Sequence, residues 1–130
     1  MCLFSKQQVP KVAVEDIECF KILKELHGAY YTPYRDTPVK FNELMETGRN
    51  PFIIGTRRVY DYYVIEEGYF HSCSTKEFAD KEFNRIKIGC FRDKVKLPKL
   101  HIFKAIIPKG THYYVGVNGD LCSDKLIIMK

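Results

Sequence analysis

The sequence lacks several features that define whole classes of protein. It has no tryptophan, and its five cysteines, an odd number, include no CxxC pair, so the spacing favours neither a disulfide framework nor a zinc site. The opening residues MCLFSKQQVPK lack the apolar run of a signal peptide. No segment approaches the roughly 18 to 20 apolar residues that span a bilayer. We therefore expect free thiols, a cytoplasmic location and no membrane partner.

The residues that are present suit one globular domain. The 130 residues are 45% hydrophobic and include nine Phe and nine Tyr, enough for a core, so we expect a single domain over 1–130. The 21 basic residues outnumber the 16 acidic ones and give a net charge of +5. This excess favours anionic partners, among them phosphate-bearing ligands, nucleic acid and acidic protein surfaces.

Hydrophobic patterning predicts more strands than helices. Strands are expected over 17–23, 52–54, 59–65, 100–107, 111–117 and 121–129, and the Gly-, Pro- and Tyr-rich segment 27–38 is expected to be a loop. Helices are expected over 41–47 and 78–86. The dipeptide Asn118-Gly119 is typical of a type I′ hairpin turn. The predicted fold class is α+β, with a mainly antiparallel or split β-sheet and two helices.

The stretch GYFHSCST, residues 68–75, marks the junction of a predicted strand with the second helix. Ser74 and Glu77 fit the Ser-x-x-Glu capping box that starts a helix. The free amides of a helix N-terminus also bind phosphate or carboxylate, and His71 and Ser72 precede them on the strand. A Cys73 nucleophile with His71 as base is disfavoured because no third group orients the pair. A zinc site at the junction is disfavoured because no paired ligand spacing accompanies His71 and Cys73.

Two further surfaces are candidates for macromolecular partners. Arg57 and Arg58 lie close in sequence to three tyrosines, and with the lysines of 94–99 they could bind single-stranded nucleic acid. We disfavour nucleic acid because no RNP-like or helix-turn-helix pattern accompanies these charges. The tyrosines of 60–63 and 112–114 favour a protein interface instead, since Tyr combines apolar area with a hydroxyl.

Two resemblances cover larger parts of the chain. The segments MCLF, DIECFKIL, YYTPYRD, GYFHS, IIPKGTHYYVG and SDKLII together resemble a group of small uncharacterised proteins from gut Bacteroidetes and their phages. More distantly, the chain resembles ADP-ribosyltransferases of the Arg-Ser-Glu type. That resemblance rests on Tyr34-Arg35, on Phe70-His71-Ser72-Cys73-Ser74 and on the turn Ile107-Pro108-Lys109-Gly110-Thr111. Where the family has a glutamate directly before the last apolar strand, this chain has Asp124-Lys125.

The distant resemblance implies an ADP-ribosyltransferase-like fold and a set of ligand-binding residues. It implies that Arg35 pairs with a ligand diphosphate, that Ser72 orders the pocket and that His71 bonds a ribose hydroxyl. With Ser74 at the helix start, the candidate site is Arg35, His71, Ser72 and Ser74, and the implied ligand is NAD or another nucleotide. No catalytic residue is assigned.

Three hypotheses for function follow, and the single-stranded nucleic-acid binding described above is the third. The first is a nucleotide- or phosphate-binding domain related to ADP-ribosyltransferases. The second is a phage or mobile-element module that binds and inhibits a host protein. Convergence of Arg35, His71 and Ser72 on one concavity favours the pocket, and dispersal of the three favours the interaction module.

Overall fold

A computed structural model describes residues 3–7, 9–33, 36–48, 58–59, 62–65 and 69–130, and in these ranges the chain forms twelve strands and one helix. In chain order the elements are β1 Leu3–Ser5, β2 Lys11–Val12, β3 Ile17–Leu26, β4 Ala29–Tyr31, β5 Leu44–Glu46, β6 Arg58–Val59, β7 Tyr62–Ile65, β8 Phe70–Cys73, α1 Lys76–Arg92, β9 Lys99–Ile107, β10 His112–Val115, β11 Asp120–Ser123 and β12 Lys125–Ile128. The helix is too short and polar to cross a membrane, and no other helix occurs in the described part of the chain.

All pairings between these strands are antiparallel, so the protein is an α+β protein dominated by antiparallel sheet. Strands β1, β7 and β6 form a small sheet. The larger sheet has the order β2-β10-β11-β8-β3-β9-β12-β5, with β4 added to β3. The predicted mainly antiparallel α+β class is thus confirmed, although the described residues contain one helix rather than the two expected.

The larger sheet closes on itself at its centre. Strands β11 and β12 follow each other in the chain with only Asp124 between them, yet β11 pairs with β8 and β12 pairs with β9. Both β8 and β9 pair in turn with β3. A bend at Asp124 therefore lets one extended segment change partners, which is how strands pass from one part of a folded sheet to another. The predicted single strand over 121–129 is accordingly two strands.

The core is built from the central strands. Its fully or nearly fully buried apolar residues are Cys19, Leu23, Phe70, Ala105, Ile107, Leu121, Leu126 and Ile128. Residues 21 to 23 are all buried, so both faces of β3 are covered in its middle, as the mixed pattern of segment 17–23 predicts. Helix α1 packs on β3 and β8 with Ala79 completely buried. The predicted strands over 17–23 and 100–107 and the helix over 78–86 are confirmed, and each extends beyond its predicted bounds.

Two segments contain a strand where the sequence predicted a helix in one case and a loop in the other. The predicted helix over 41–47 contains β5, which pairs with β12 through Leu44↔Ile127 and Met45↔Leu126. Cross-strand pairing with a buried partner outweighs the weak helical spacing of a seven-residue segment. The predicted loop over 27–38 contains β4, because His27 and Gly28 both adopt positive φ, 53° and 80°, and close a two-residue hairpin with β3.

The remaining turns and strands differ in detail from those predicted. At Asn118-Gly119 only Gly119 has positive φ, 94°, and its amide donates to the Gly116 carbonyl. The turn is therefore a three-residue loop with Gly in the left-handed position rather than the predicted type I′ turn. The predicted strand over 59–65 is two short strands, β6 and β7, paired with each other. The predicted strand over 52–54 lies outside the described residues.

Candidate functional site

Strand β8 directs two of the predicted site residues to opposite sides of the sheet. Successive side chains of a strand point to opposite faces, so Ser72 shares a face with Phe70 and not with His71. Across the ladder, His71 lies opposite Cys122 and Ser72 lies opposite Leu121. The side chains of His71 and Ser72 therefore do not converge on one concavity.

Ser72 lies on the core side of the strand. It is 2% exposed, and its ladder partner Leu121 belongs to the hydrophobic core. Its hydroxyl lies next to the Cys19 thiol. Burial raises the pKa of Cys19, and the contact with Ser72 partly lowers it again. Ser72 thus faces a buried thiol rather than solvent.

The helix begins one residue later than the capping box predicts. Thr75, rather than Ser74, is the N-cap, and its hydroxyl accepts a hydrogen bond of 3.1 Å from the Phe78 amide. The Ser74 amide donates to the Gly119 carbonyl at 3.0 Å. This bond holds Ser74 against the β10–β11 turn, so the next hydroxyl residue starts the helix. Ser74 is half-buried in this connection.

The fourth predicted residue, Arg35, lies outside the described residues. Its neighbour Asp36 is described, has φ 56°, and forms an ion pair with Lys24 of β3. The assignment of Arg35 to a ligand diphosphate stays a prediction.

A buried lysine lies beneath the predicted site. Lys21 is 6% exposed, and its Nζ donates to the backbone carbonyl of His71. It makes no ion pair with a carboxylate of the described residues. Burial lowers the pKa of Lys21 to about 8, and the thiols of Cys73 and Cys19 act in the opposite direction. An ammonium group with a single backbone acceptor is costly in a protein interior.

Burial acts on the cysteines near Lys21 as well. It raises the pKa of Cys73 to about 12, with Glu82 adding to the effect, and it also raises the pKa of Cys122. A thiol with a raised pKa is a poor nucleophile at neutral pH, so this environment does not favour a Cys73 nucleophile. Among the described residues, no group of three His, Cys, Asp or Glu side chains could hold a metal ion.

The most exposed apolar residues of the helix lie at its C-terminal end. Phe91 is 88% exposed and Ile88 is 66% exposed, and the segment that follows the helix adds Val95 at 60%. Residues three apart on a helix lie on the same side, so Ile88 and Phe91 are neighbours. We call residues 85–99, with these apolar side chains at the centre, the basic-apolar patch.

The basic-apolar patch carries the net charge of the protein. It contains one acidic residue, Asp93, and six basic ones: Arg85, Lys87, Arg92, Lys94, Lys96 and Lys99. Six positive charges less one negative charge give +5, which equals the formal net charge of the whole chain. Lys87, Lys94 and Lys96 form no ion pair with a carboxylate of the described residues, whereas Arg85 pairs with Glu82 and Arg92 with Asp93.

The end of α1 fixes the shape of this patch. The amide of Lys94 donates to the Phe91 carbonyl at 3.2 Å and that of Val95 to the Cys90 carbonyl at 2.9 Å. These two bonds are the Schellman motif, in which the residue after the C-cap adopts positive φ and is usually Gly. Here that residue is Lys94, with φ 55°. A lysine in this conformation costs about 1 kcal/mol relative to Gly.

Of the tyrosines predicted to form an interface, Tyr113 and Tyr114 lie on opposite faces of β10. Tyr114 is 1% exposed, and its burial raises its pKa to about 12. Tyr113 is half-buried and packs against the core. The alternation of β10 places the two rings in different clusters, with Tyr113 against the main core and Tyr114 beside Tyr69 and Cys122. Tyr60 lies outside the described residues, as does Arg57 of the basic surface predicted with it.

Comparison of the chain with known protein families, with curated proteins and with solved structures finds no significant match. The resemblances to the Bacteroidetes group and to ADP-ribosyltransferases thus stay predictions.

The sequence patterns used above predicted neither the burial of Lys21 nor the basic-apolar patch, although the sequence contains an indication of each. In β3 the residues at 17, 19, 21 and 23 share one face, and a lysine among Ile, Cys and Leu on a predicted core face marks a buried charge. The predicted helix ended at 86, short of Ile88 and Phe91. Continuing the helical spacing past Gly89 would have placed them together on its surface.

Proposed function

We propose that the protein is a protein-interaction module that binds an acidic, partly apolar surface of a partner through the basic-apolar patch. The observation that carries this proposal is Phe91, an aromatic side chain that is 88% exposed at the centre of the patch. Exposed aromatic and aliphatic groups in one place mark interaction sites, and aromatic anchors supply much of the binding energy of interfaces.

The charge of the patch specifies the partner's chemistry. Its exposed lysines lie close in sequence to the apolar residues, and three of them lack carboxylate partners among the described residues. Complementary charges raise the association rate and exclude wrong partners, while a desolvated apolar centre supplies affinity. The partner surface should accordingly carry Asp and Glu side chains around an apolar pocket that accepts Phe91.

The backbone at Lys94 gives a second line of support. Glycine at this position would be more stable by about 1 kcal/mol, because it adopts positive φ without strain. A strained residue that contributes a charge to an exposed patch is the pattern expected when function rather than stability selects it. The two Schellman bonds also hold the patch in one shape before binding, which lowers the entropy lost on association.

The resemblance to phage and Bacteroidetes proteins supplies the partner class of the proposal, which is a host protein that this module inhibits. Photo-crosslinking tests it. A benzoylphenylalanine is introduced at Phe91 in one variant and at Val14 in the other. Val14 is the matched control, since it is an exposed apolar residue, 82% exposed, followed by two acidic residues instead of lysines.

In a lysate of Bacteroidetes cells, we expect position 91 to crosslink to one dominant protein at an Asp- and Glu-rich peptide, identified by mass spectrometry. Position 14 should give no such product. Combining Lys94→Glu with Lys96→Glu should abolish the crosslink. Equal labelling from both positions, or a crosslink that survives the charge reversal, would overturn the proposal. So would binding to anionic phosphatidylglycerol vesicles or to a single-stranded oligonucleotide in place of a protein.

We propose binding of a nucleotide or another phosphate ligand as the second candidate function, in an ADP-ribosyltransferase-like arrangement. The observation that favours it is Lys21, whose ammonium has one backbone acceptor and no carboxylate ion pair in the described part of the chain. A phosphate near the His71 carbonyl would offset that charge and return the pKa of Lys21 toward its ordinary value. Arg35 would then bind the diphosphate.

Isothermal titration with NAD and with mono-, di- and cyclic nucleotides tests this candidate. Heat of binding that disappears in Lys21→Met and persists in Lys24→Met would support it, since Lys24 lies on the same strand and already pairs with Asp36. An absence of heat with every nucleotide would refute it and leave the interaction module unaffected.

A further inference from the structure

We propose that Tyr30, Phe41 and Phe103 form a binding site for an N-methylated or quaternary ammonium group. The three rings come from β4, from the segment before β5 and from β9. Their centroids are 5.1 Å apart for Tyr30–Phe41, 5.3 Å for Tyr30–Phe103 and 5.0 Å for Phe41–Phe103. We call this group the aromatic box. All three rings are half-buried, so the box is fixed by packing and still reaches the surface.

A cation of this chain already occupies the aromatic box. Lys130 Nζ lies over the ring of Tyr30, 5.3 Å from its centroid, and over the ring of Phe41, 5.2 Å from its centroid. Both distances lie within the roughly 6 Å over which a ring face attracts a cation. The two rings meet edge to face, and together they hold one ammonium group over both of them.

The way in which Lys130 is held indicates that another cation can replace it. Its ammonium makes no ion pair with a carboxylate of the described residues, and the residue is exposed. Its backbone amide has one long contact, 3.4 Å, to the side chain of Asn42. Within the described part of the chain, the ammonium thus contacts ring faces alone, and each such contact changes affinity by about 2- to 5-fold at exposed sites.

The absence of a hydrogen-bond acceptor for that ammonium among the described residues points to the ligand class. A primary ammonium carries three donors that water satisfies and this box does not. An N-methylated or quaternary ammonium has few or no donors to lose, keeps its charge and adds methyl groups that the rings can cover. Aromatic surroundings for such cations are a recognised use of cation–π attraction.

A carboxylate fixes the orientation of one ring of the box. Glu25 accepts a hydrogen bond from the Tyr30 hydroxyl, and His101 Nε2 lies 3.2 Å from its Oε1. The ring of His101 in turn contacts Tyr30, with centroids 5.6 Å apart. Glu25 thus holds Tyr30 in place, while Lys99, 3.4 Å from Glu25, offsets its charge.

The experiment is an NMR titration of the full chain with choline and with its uncharged isostere 3,3-dimethylbutan-1-ol. We expect choline to shift the ring resonances of the box and the isostere to bind at least about tenfold more weakly. Lys130→Ala should tighten choline binding by about 5- to 30-fold, because two ring contacts no longer compete. Lys104→Ala is the matched control, since it removes an exposed charge from the strand of Phe103, and it should leave the affinity unchanged.

Phe41→Leu keeps an apolar side chain and removes one ring face, so it should weaken choline binding while the melting temperature reports that the fold is intact. Equal binding of choline and the isostere, or no gain in Lys130→Ala, would overturn the proposal. Phosphocholine and a trimethyl-lysine peptide distinguish a headgroup from a protein side chain as the source of the cation, with an unmethylated lysine peptide expected to bind more weakly. Loss of the basic-apolar patch should not affect any of these results.

Discussion

Replacing Lys21 by methionine should stabilise the protein most near neutral pH, and the advantage over wild type should shrink as the pH rises. The pKa of this lysine falls from 10.5 to about 8 because the side chain is buried. Each unit of pKa shift corresponds to 1.36 kcal/mol, so keeping the folded protein protonated at Lys21 costs about 3 kcal/mol at neutral pH. Methionine has a similar volume and no charge, and it removes this cost.

Whether stability rises or falls with pH depends on which state of the protein, folded or unfolded, binds more protons. Between pH 8 and 10.5 the unfolded chain holds the Lys21 proton and the folded protein does not, so raising the pH stabilises the wild type through this window. The penalty is complete below about pH 8 and is lost by about pH 10.5. Cys73 and Tyr114 act in the opposite direction, because their raised pKa values destabilise the folded state as pH rises above the unfolded values. The contribution of Tyr114 is common to both proteins and cancels in the difference, whereas the charge of Lys21 lowers the pKa of Cys73, so its removal shifts the variant further in the predicted direction above pH 9.

Urea unfolding followed by far-UV circular dichroism measures that difference. The loss of the Lys21 bond to the His71 carbonyl costs about 1 to 3 kcal/mol at every pH, so the net gain at neutral pH is at most about 2 kcal/mol. The stability of Lys21→Met relative to wild type should then fall by about 2.5 kcal/mol from about pH 7 to about pH 10. A difference that stays constant with pH would refute the placement of a charged, buried Lys21. Lys24→Met is the control and should change stability by no more than about 1 kcal/mol.

Three further predictions concern the helix, its junction and the thiols. Thr75→Ala should lower the unfolding free energy, measured in urea melts, by about 1 kcal/mol because it removes the helix cap. Ser74→Ala should leave the cap intact, so equal losses from the two substitutions would contradict the assignment of the N-cap. Lys94→Gly should raise stability by about 1 kcal/mol and weaken partner binding, and a variant that gains stability without losing affinity would remove Lys94 from the interface. Among the described cysteines, half-buried Cys90 should react first with a thiol reagent under native conditions, and faster modification of buried Cys73, read by peptide mapping, would contradict its raised pKa.

The sequence predicted the elements whose periodicity is strong and whose neighbours are local. Strand β3, strand β9 and the first part of α1 follow from β-branched content or helical spacing alone. Strand β5 could not be predicted in this way, since its pairing partner β12 is about 80 residues away in the chain and its own seven-residue context suits a helix equally well. The bend at Asp124 could not be predicted either, because only the arrangement of β8 and β9 around β3 requires the extended segment to change partners.

The features of the candidate sites that could be predicted are likewise those formed by residues close together in sequence. The capping motif at the junction was found to within one residue, because a helix start is a local event. The opposite orientation of His71 and Ser72 also follows from strand periodicity once β8 is recognised as a strand. The aromatic box was not found, because its rings come from three segments that are distant in sequence. Tyr30 lay in a predicted loop and Phe41 in a predicted helix, so nothing local linked them to Phe103.

The proposed interaction through Phe91 is tested most directly by the affinity of the purified crosslinked partner for wild type, Phe91→Ala and Val14→Ala. From this proposal we predict that Phe91→Ala weakens binding by about tenfold or more, that Val14→Ala leaves it unchanged, and that the wild-type affinity falls as salt is raised. An affinity that is the same for wild type and Phe91→Ala and that does not change with salt would contradict it.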